Sequence, residues 1–180
     1  MRINFLRNFI RQPLRNASLV PSSRRAAEQM LAGIDFENVQ YIVELGPGTG
    51  IFTHALCEAA SDDAKMILVE LEESYIPSLT TRFSTRAEVV HGSAHTIEDL
   101  VAERGWPRID LIVSGLPFVL PQSVKSPLFD FLLRCTEGGT VFRWFTYMPV
   151  AMKPHYQAFA FEKKSFVFWN FPPMWIFGVN

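Results

Sequence analysis

The chain has 180 residues, a length that suits one domain with a short appendage and can bury a substantial core. Its 48% hydrophobic, 13% aromatic and 19% charged residues exclude intrinsic disorder and collagen-like repetition. Net charge is −1, yet residues 1–25 hold six arginines and no acid, leaving 11 bases against 18 acids, a net −7, for residues 26–180. The average hides a basic arm on an acidic body, which fits a chain end that meets an anionic surface, nucleic acid or membrane.

Cys57 and Cys135 stand alone with no C-x-x-C pair. Neither a disulfide framework nor a zinc site is expected, and a reducing cytoplasm fits. Arg7 and Arg11 interrupt the apolar residues of the first segment, so secretion is not expected. The most apolar window, 166–179, is broken by Asn170, Pro172 and Pro173, so no bilayer span is expected.

In chain order, residues 2–15 (RINFLRNFIRQPLR) place Ile3, Leu6, Phe9 and Ile10 at helical spacing among Arg2, Arg7, Arg11 and Arg15. This is a basic amphipathic helix that Pro13 should end near Gln12. Residues 1–20 are therefore an arm, and 21–180 the domain. A helix is expected at 22–33, capped by Ser22 or Ser23 and closed by Gly33. A buried strand at 41–45 leads through a glycine-rich turn at 46–50 into a helix carrying Phe52, Ala55, Leu56 and Ala59. Strands follow at 65–70 and 88–91, a helix at 97–104, a strand at 109–114, a helix at about 126–136 and a strand at 140–147. Strands at 165–170 and 174–179, joined by Phe-Pro-Pro, should form an antiparallel hairpin. The alternation is an α/β pattern with a mostly parallel sheet.

The segment Glu44-Leu-Gly46-Pro-Gly48-Thr-Gly50 lies after a strand and before a helix. Glycines there let the backbone turn sharply and approach a ligand, while the amides at the following helix start favour polar or negative atoms. A nucleotide-like ligand is implied. The dinucleotide fingerprint G-x-G-x-x-G requires glycine at position 51, where the chain has Ile51, and a Walker loop requires a Lys that is missing. Glu70, closing the second strand, is placed to accept ribose hydroxyls; Glu72 and Glu73 are expected as acids in the first turn of a helix.

The combination of VELGPGTG, an acid ending the next strand and a terminal hairpin resembles the class I S-adenosylmethionine-dependent methyltransferases. More narrowly, PSSRRAA (21–27), VELGPGTGIFT (43–53), SGLPF (114–118), FTYMP (145–149) and NFPP (170–173) resemble the bacterial phospholipid N-methyltransferases, over about residues 5–177. The resemblance implies a Rossmann-like seven-stranded sheet, mostly parallel with an antiparallel C-terminal hairpin, and S-adenosyl-L-methionine as cofactor. It implies cofactor contacts at Glu44, Gly46, Pro47, Gly48, Gly50, Glu70, Leu71, Ser93, Ala94 and Ser114. Where the family commonly has a G-D-A tripeptide, this chain has Gly92-Ser93-Ala94, whose hydroxyl accepts a hydrogen bond without the charge.

Ser114, Phe118 and Tyr147 are the expected catalytic residues. Enzymes that methylate adenine or glutamine carry Asn/Asp-Pro-Pro-Tyr or Asn-Leu-Pro-Tyr at the position of SGLPF, the amide gripping a planar amine and the ring stacking on the base. Ser114 lacks that amide. A phosphatidylethanolamine headgroup, an sp3 amine that ends as a quaternary cation, suits the aromatic faces of Phe118 and Tyr147. Tyr147 and His155 are candidates for a base near the amine, and Trp144, on the opposite face of its strand, is expected in the core. His91 and His95 straddle a strand end, so no metal is expected.

The expected function is methyl transfer to phosphatidylethanolamine and its methylated intermediates by an enzyme on the inner face of the cell membrane, with residues 2–15 meeting anionic lipid. Nucleic acid is the less favoured partner. The alternatives are an RNA adenine N6-methyltransferase, since ribosomal RNA adenine dimethylases have a similar core, and a non-catalytic cofactor- or membrane-binding scaffold.

Overall fold

Tyr41–Leu45 (β1) alternates its side chains between two buried layers, and the fold grows outward from it. The computed structural model describes residues 21–168, 170 and 172–180. The amphipathic arm, with Arg2, Arg7, Arg11 and Arg15, lies outside the described residues, as does Phe171 of the N-F-P-P motif. Seven strands form one sheet in the order β3-β2-β1-β4-β5-β7-β6. Lys65–Glu70 (β2), Glu88–His91 (β3), Leu111–Ser114 (β4) and Val141–Thr146 (β5) are parallel to β1, with Leu45 beside Val69 on one side and Ser114 on the other. Glu162–Val167 (β6) and Met174–Val179 (β7) form the expected antiparallel hairpin, β7 pairing with β5.

Helices cover both faces. Pro21–Leu31 (α1), Ile51–Ala59 (α2) and Ile76–Phe83 (α3) bury Ala26, Met30, Leu56, Leu79 and Phe83 against Ile42, Leu68, Leu111 and Val113. Ile97–Glu103 (α4), Gln122–Glu137 (α5) and Pro149–Tyr156 (α6) bury Ile97, Val101, Leu128, Leu132 and Met152 against Val43, Leu45, Ile67, Ile112 and Phe142. Central strands buried on both faces account for continuous apolar runs such as Met66-Ile-Leu-Val69. Each fully buried Leu, Ile or Val contributes roughly 1.5–3 kcal/mol relative to exposure.

Three expectations shift and one helix is added. The sixth strand runs 162–167, not 165–170; its first residues, Glu162 and Lys163, are exposed on the sheet edge, where charge discourages pairing with other chains and disguises the strand. The helix expected at about 126 begins at Gln122 and carries Pro127 inside it. Helix α6 follows no amphipathic signal and opens on Pro149, a residue suited to a first turn, where its missing N–H costs nothing. Glu72 and Glu73 precede α3, Glu73 opening a 3-10 turn (Glu73–Tyr75) that Glu72 flanks. Helix α1 ends at Leu31, and Gly33, with φ 76°, closes it as expected.

Candidate functional site

β1 and β4 lie side by side, while the chain leaves β1 towards β2 and β4 towards β5 in opposite directions along the sheet. Such a reversal opens a crevice beyond the carboxyl ends of the strands. The glycine turn follows β1, and the Ser114-Gly115-Leu116-Pro117 turn follows β4, so the two segments singled out in the sequence meet there. Their meeting is close: a Cβ on Gly115 would stand 2.5 Å from the Gly46 carbonyl oxygen, which only glycine tolerates. Gly115 is therefore a residue of this site that sequence reasoning passed over, although its place inside SGLPF is the available signal.

Gly46, Gly48 and Gly50 all take positive φ, at 71°, 55° and 78°. A Cβ on Gly50 would run into the Phe83 ring at 2.6 Å, whereas one on Gly48 would meet nothing within 4 Å. Gly50 thus packs the turn onto α3, and Gly48 presents bare backbone to open space. Pro47 is buried between them.

Glu70 anchors this turn. Its Oε2 accepts the Gly48 amide at 2.8 Å and its Oε1 accepts the Glu72 amide at 2.8 Å, while the residue is 7% exposed. Two of the carboxylate's roughly four acceptor sites remain for ligand hydroxyls. Glu44 is more deeply buried. Its Oε2 accepts from the Thr53 hydroxyl at 2.6 Å, and its Oε1 is buried with no hydrogen-bond partner. Burial, opposed by the Thr53 hydrogen bond and assisted by the nearby Glu70 charge, pushes the Glu44 carboxyl up to about 8. A buried acceptor without a donor is costly, so this oxygen calls for a cationic N–H donor beside it. The expected cofactor carries an ammonium group, a ribose and a sulfonium cation; the orphaned oxygen, the spare acceptor sites of Glu70 and the open space over Gly48 fit it.

Leu71 stands exposed after β2, its carbonyl 3.2 Å from His91 Nε2. Ser93 Oγ lies 2.8 Å from His95 Nδ1, and Ala94 is buried behind it. His91 and His95 are thus spoken for separately. Among the described residues no group of three His, Cys, Asp or Glu side chains is arranged to hold a metal.

Ser114 is 2% exposed, and its Oγ accepts the Leu116 amide at 3.3 Å. The hydroxyl stabilises its own turn. Phe118 belongs to the α5–α6 side, its ring 5.4 Å from the His155 ring. Tyr147 belongs to the α1–α2 side, its ring 5.5 Å from that of Phe145, which in turn lies 5.4 Å from Phe52. The two aromatic residues therefore rise from opposite layers and stand on either side of the sheet plane. Trp144 is core, stacked on Tyr156 at 4.7 Å.

The two base candidates differ in their surroundings. Burial raises the Tyr147 hydroxyl above its ordinary value, against the effect of a hydrogen bond with the Asn170 side chain, so it keeps its proton at neutral pH. That bond also joins the FTYMP and NFPP motifs. Burial and the Lys125 charge lower His155, and Lys125 Nζ lies 3.4 Å from His155 Nδ1. An ammonium can only donate, so Nδ1 is the acceptor and the ring proton sits on Nε2.

No protein-family model matches the chain. It is 32% identical over 174 residues to the ornithine lipid N-methyltransferase of Singulisphaera acidiphila, covering 94% of this chain and 90% of that protein. It is 28% identical over 125 residues to the mitochondrial ribosomal RNA small subunit methyltransferase of Arabidopsis thaliana, covering 68% of this chain but 29% of that protein. In fold it resembles the O-methyltransferase from Bacillus cereus in complex with SAH, with TM-score 0.65 at 13% identity over 99% of this chain and 88% of that one. The fibrillarin of Aeropyrum pernix with bound S-adenosyl-L-methionine matches with TM-score 0.60 at 15% identity over 86% of this chain and 75% of that one. Together with the glycine turn, Glu70 and the reversal between β1 and β4, the near full-length similarity decides the matter: the chain belongs to the class I S-adenosylmethionine-dependent methyltransferases, in the same family as that ornithine lipid N-methyltransferase.

Proposed function

We propose that this enzyme transfers methyl groups from S-adenosylmethionine to the amine of a membrane lipid, phosphatidylethanolamine and its methylated intermediates, at an anionic membrane surface. The observation that carries the reading is the wall after β4, where Ser114 turns its hydroxyl into its own loop and Phe118 presents a ring without a side-chain amide. Such a wall suits an sp3 amine that gains positive charge better than a planar base, which needs an amide grip. Gly46, Gly48 and Gly50 would cradle the cofactor, Glu70 its ribose hydroxyls and Glu44 its ammonium, with Pro47, Leu71, Ser93 and Ala94 around it. When bound, the cofactor supplies an electrophilic methyl on a sulfonium. The amine attacks through its lone pair and so must be neutral; a site of low polarity favours that form. Phe118 and Tyr147, on the two sides of the crevice, would bracket the cation that forms. Residues 2–15 would hold the enzyme at the bilayer, each arginine near an anionic surface contributing about 1 kcal/mol.

A second headgroup is favoured by a specific observation, the similarity to an ornithine lipid N-methyltransferase, whose name gives a lipid amine of different structure. RNA is the third substrate class, since the ribosomal RNA methyltransferase of Arabidopsis aligns with part of the chain. Purified protein, labelled cofactor and vesicles carrying either lipid, with ribosomal RNA in parallel, test the proposal. Labelled phosphatidylethanolamine is expected; label confined to ornithine lipid reassigns the headgroup, and label confined to RNA overturns the lipid reading.

A further inference from the structure

Among the described residues, the large apolar side chains that the domain leaves exposed gather at one end of the sheet. They are Leu71, Val119, Met148, Val150, Phe166 and Phe168. Leu71 follows β2, Val119 follows β4, and Met148 and Val150 follow β5, all at carboxyl ends of parallel strands. β6 runs in the same direction as β5, because both are antiparallel to β7, and the register brings its end to the same edge: Val167 faces Met174, next to the Trp175 that pairs with Thr146. Phe166 and Phe168 therefore project at the edge that also carries the glycine turn. Val150 is 83% exposed and Phe168 63%. Scattered apolar residues on a soluble surface are ordinary, but six confined to one edge form a pattern.

Charge follows the same division. The segments that follow β4 and β5 at this edge, residues 115–129 and 147–161, contain no acid and include Lys125, Lys153 and His155, while Glu72 and Glu73 lie at its far corner after β2. The opposite edge, from which the parallel strands start, carries Asp35, Glu37, Asp62, Asp63, Asp110 and Glu137. Its arginines are matched there, Arg86 with Asp62, Arg104 with Glu88 and Arg108 with Asp110. An anionic surface would repel the acidic edge and attract the other, turning the domain so that the crevice faces it.

We infer that the edge formed by Val119, Met148, Val150, Phe166 and Phe168, with Lys125 and Lys153, is a docking face for an anionic lipid bilayer, distinct from the N-terminal arm. The inference rests on the lipid reading above, because a lipid amine stays within the headgroup layer and the site must come to it. The apolar side chains enter the boundary between headgroups and acyl chains, the lysines meet anionic headgroups, and the openings beside Phe118 and Tyr147 face the lipid. The arm would supply attachment, and this edge would supply orientation.

The test uses the full chain and the double variant Val150→Asp/Phe168→Asp, both positions being exposed and outside the proposed cofactor contacts. Methyl transfer is measured on mixed phosphatidylethanolamine and phosphatidylglycerol vesicles and on the same lipid dispersed in detergent. Cofactor affinity is measured by calorimetry, vesicle binding by flotation and self-association by ultracentrifugation. The expected result is at least a tenfold loss of turnover on vesicles, with turnover in detergent and cofactor affinity within about twofold of the parent. Equal turnover on vesicles overturns the inference, as does loss of a dimer that the parent forms, which would make the edge a contact between two copies. Parent protein that methylates RNA but no lipid removes the functional reading; docking then stands only if the variant also floats less with cofactor-loaded vesicles, and falls if flotation is unchanged.

Discussion

Glu70 and Gly48, 22 positions apart in the chain, are joined by a hydrogen bond of 2.8 Å from the Gly48 amide to the Glu70 carboxylate. The acid that the sequence offers to a ribose thus also holds the glycine turn in shape. Glu70→Ala should lower cofactor affinity more than tenfold and also cost about 1.5–3 kcal/mol of stability, the scale of a hydrogen bond to a charged group. Calorimetric titration and denaturant unfolding report the two effects separately. Unchanged cofactor affinity would remove Glu70 from the site.

Gly48→Ala separates backbone shape from ligand contact. Its Cβ would meet no protein atom within 4 Å, so the folded protein carries only the left-handed backbone penalty, about 1–2 kcal/mol. The methyl would protrude where the cofactor is proposed to lie. The variant should fold, melt slightly earlier and bind S-adenosylmethionine at least tenfold more weakly; parental affinity would show that the cofactor does not approach this backbone.

Glu44 links stability to pH. Its carboxyl, raised to about 8, holds a proton in the folded protein that the unfolded chain has already released above its ordinary value of 4.5. The unfolded state then binds fewer protons, so this contribution to stability falls as pH rises from about 5 to about 8. Glu44→Gln, neutral throughout, should gain stability relative to the parent across that interval, by a few kcal/mol at its upper end. Parallel melting curves at every pH would show that Glu44 keeps its charge when buried.

Phe118→Leu and Tyr147→Leu should each lower kcat/KM for lipid roughly tenfold, about 1.4 kcal/mol and within the range of a desolvated cation–π contact. Cofactor affinity should be unaffected. A loss of cofactor binding equal to the loss of turnover would assign the rings to the cofactor.

Removal of residues 2–12 takes away Arg2, Arg7 and Arg11 with the apolar face between them. Sedimentation with anionic vesicles should fall more than tenfold, since each arginine contributes about 1 kcal/mol at such a surface. Cofactor binding should persist. Equal sedimentation of the shortened chain would leave the arm without a membrane role.

The central strands, the glycine turn and the acid closing β2 were legible in the sequence because each is a local pattern: an apolar run, a cluster of residues allowing positive φ, a carboxylate at a strand end. The early start of β6 at Glu162 and the helix opening on Pro149 were not, since an edge strand needs no apolar alternation and α6 buries only Met152 and Tyr156. Tertiary structure alone decided the pairings between distant positions. It brought Gly115 against Gly46, sent the Ser114 hydroxyl into its own turn, left one oxygen of Glu44 buried without a donor and placed Phe118 and Tyr147 on opposite layers. It also gathered the exposed apolar side chains at one edge. The physical reason is that composition and period determine which residues must leave water, whereas packing determines which of them meet, and charge, hydrogen bonding and ligand approach depend on the meeting.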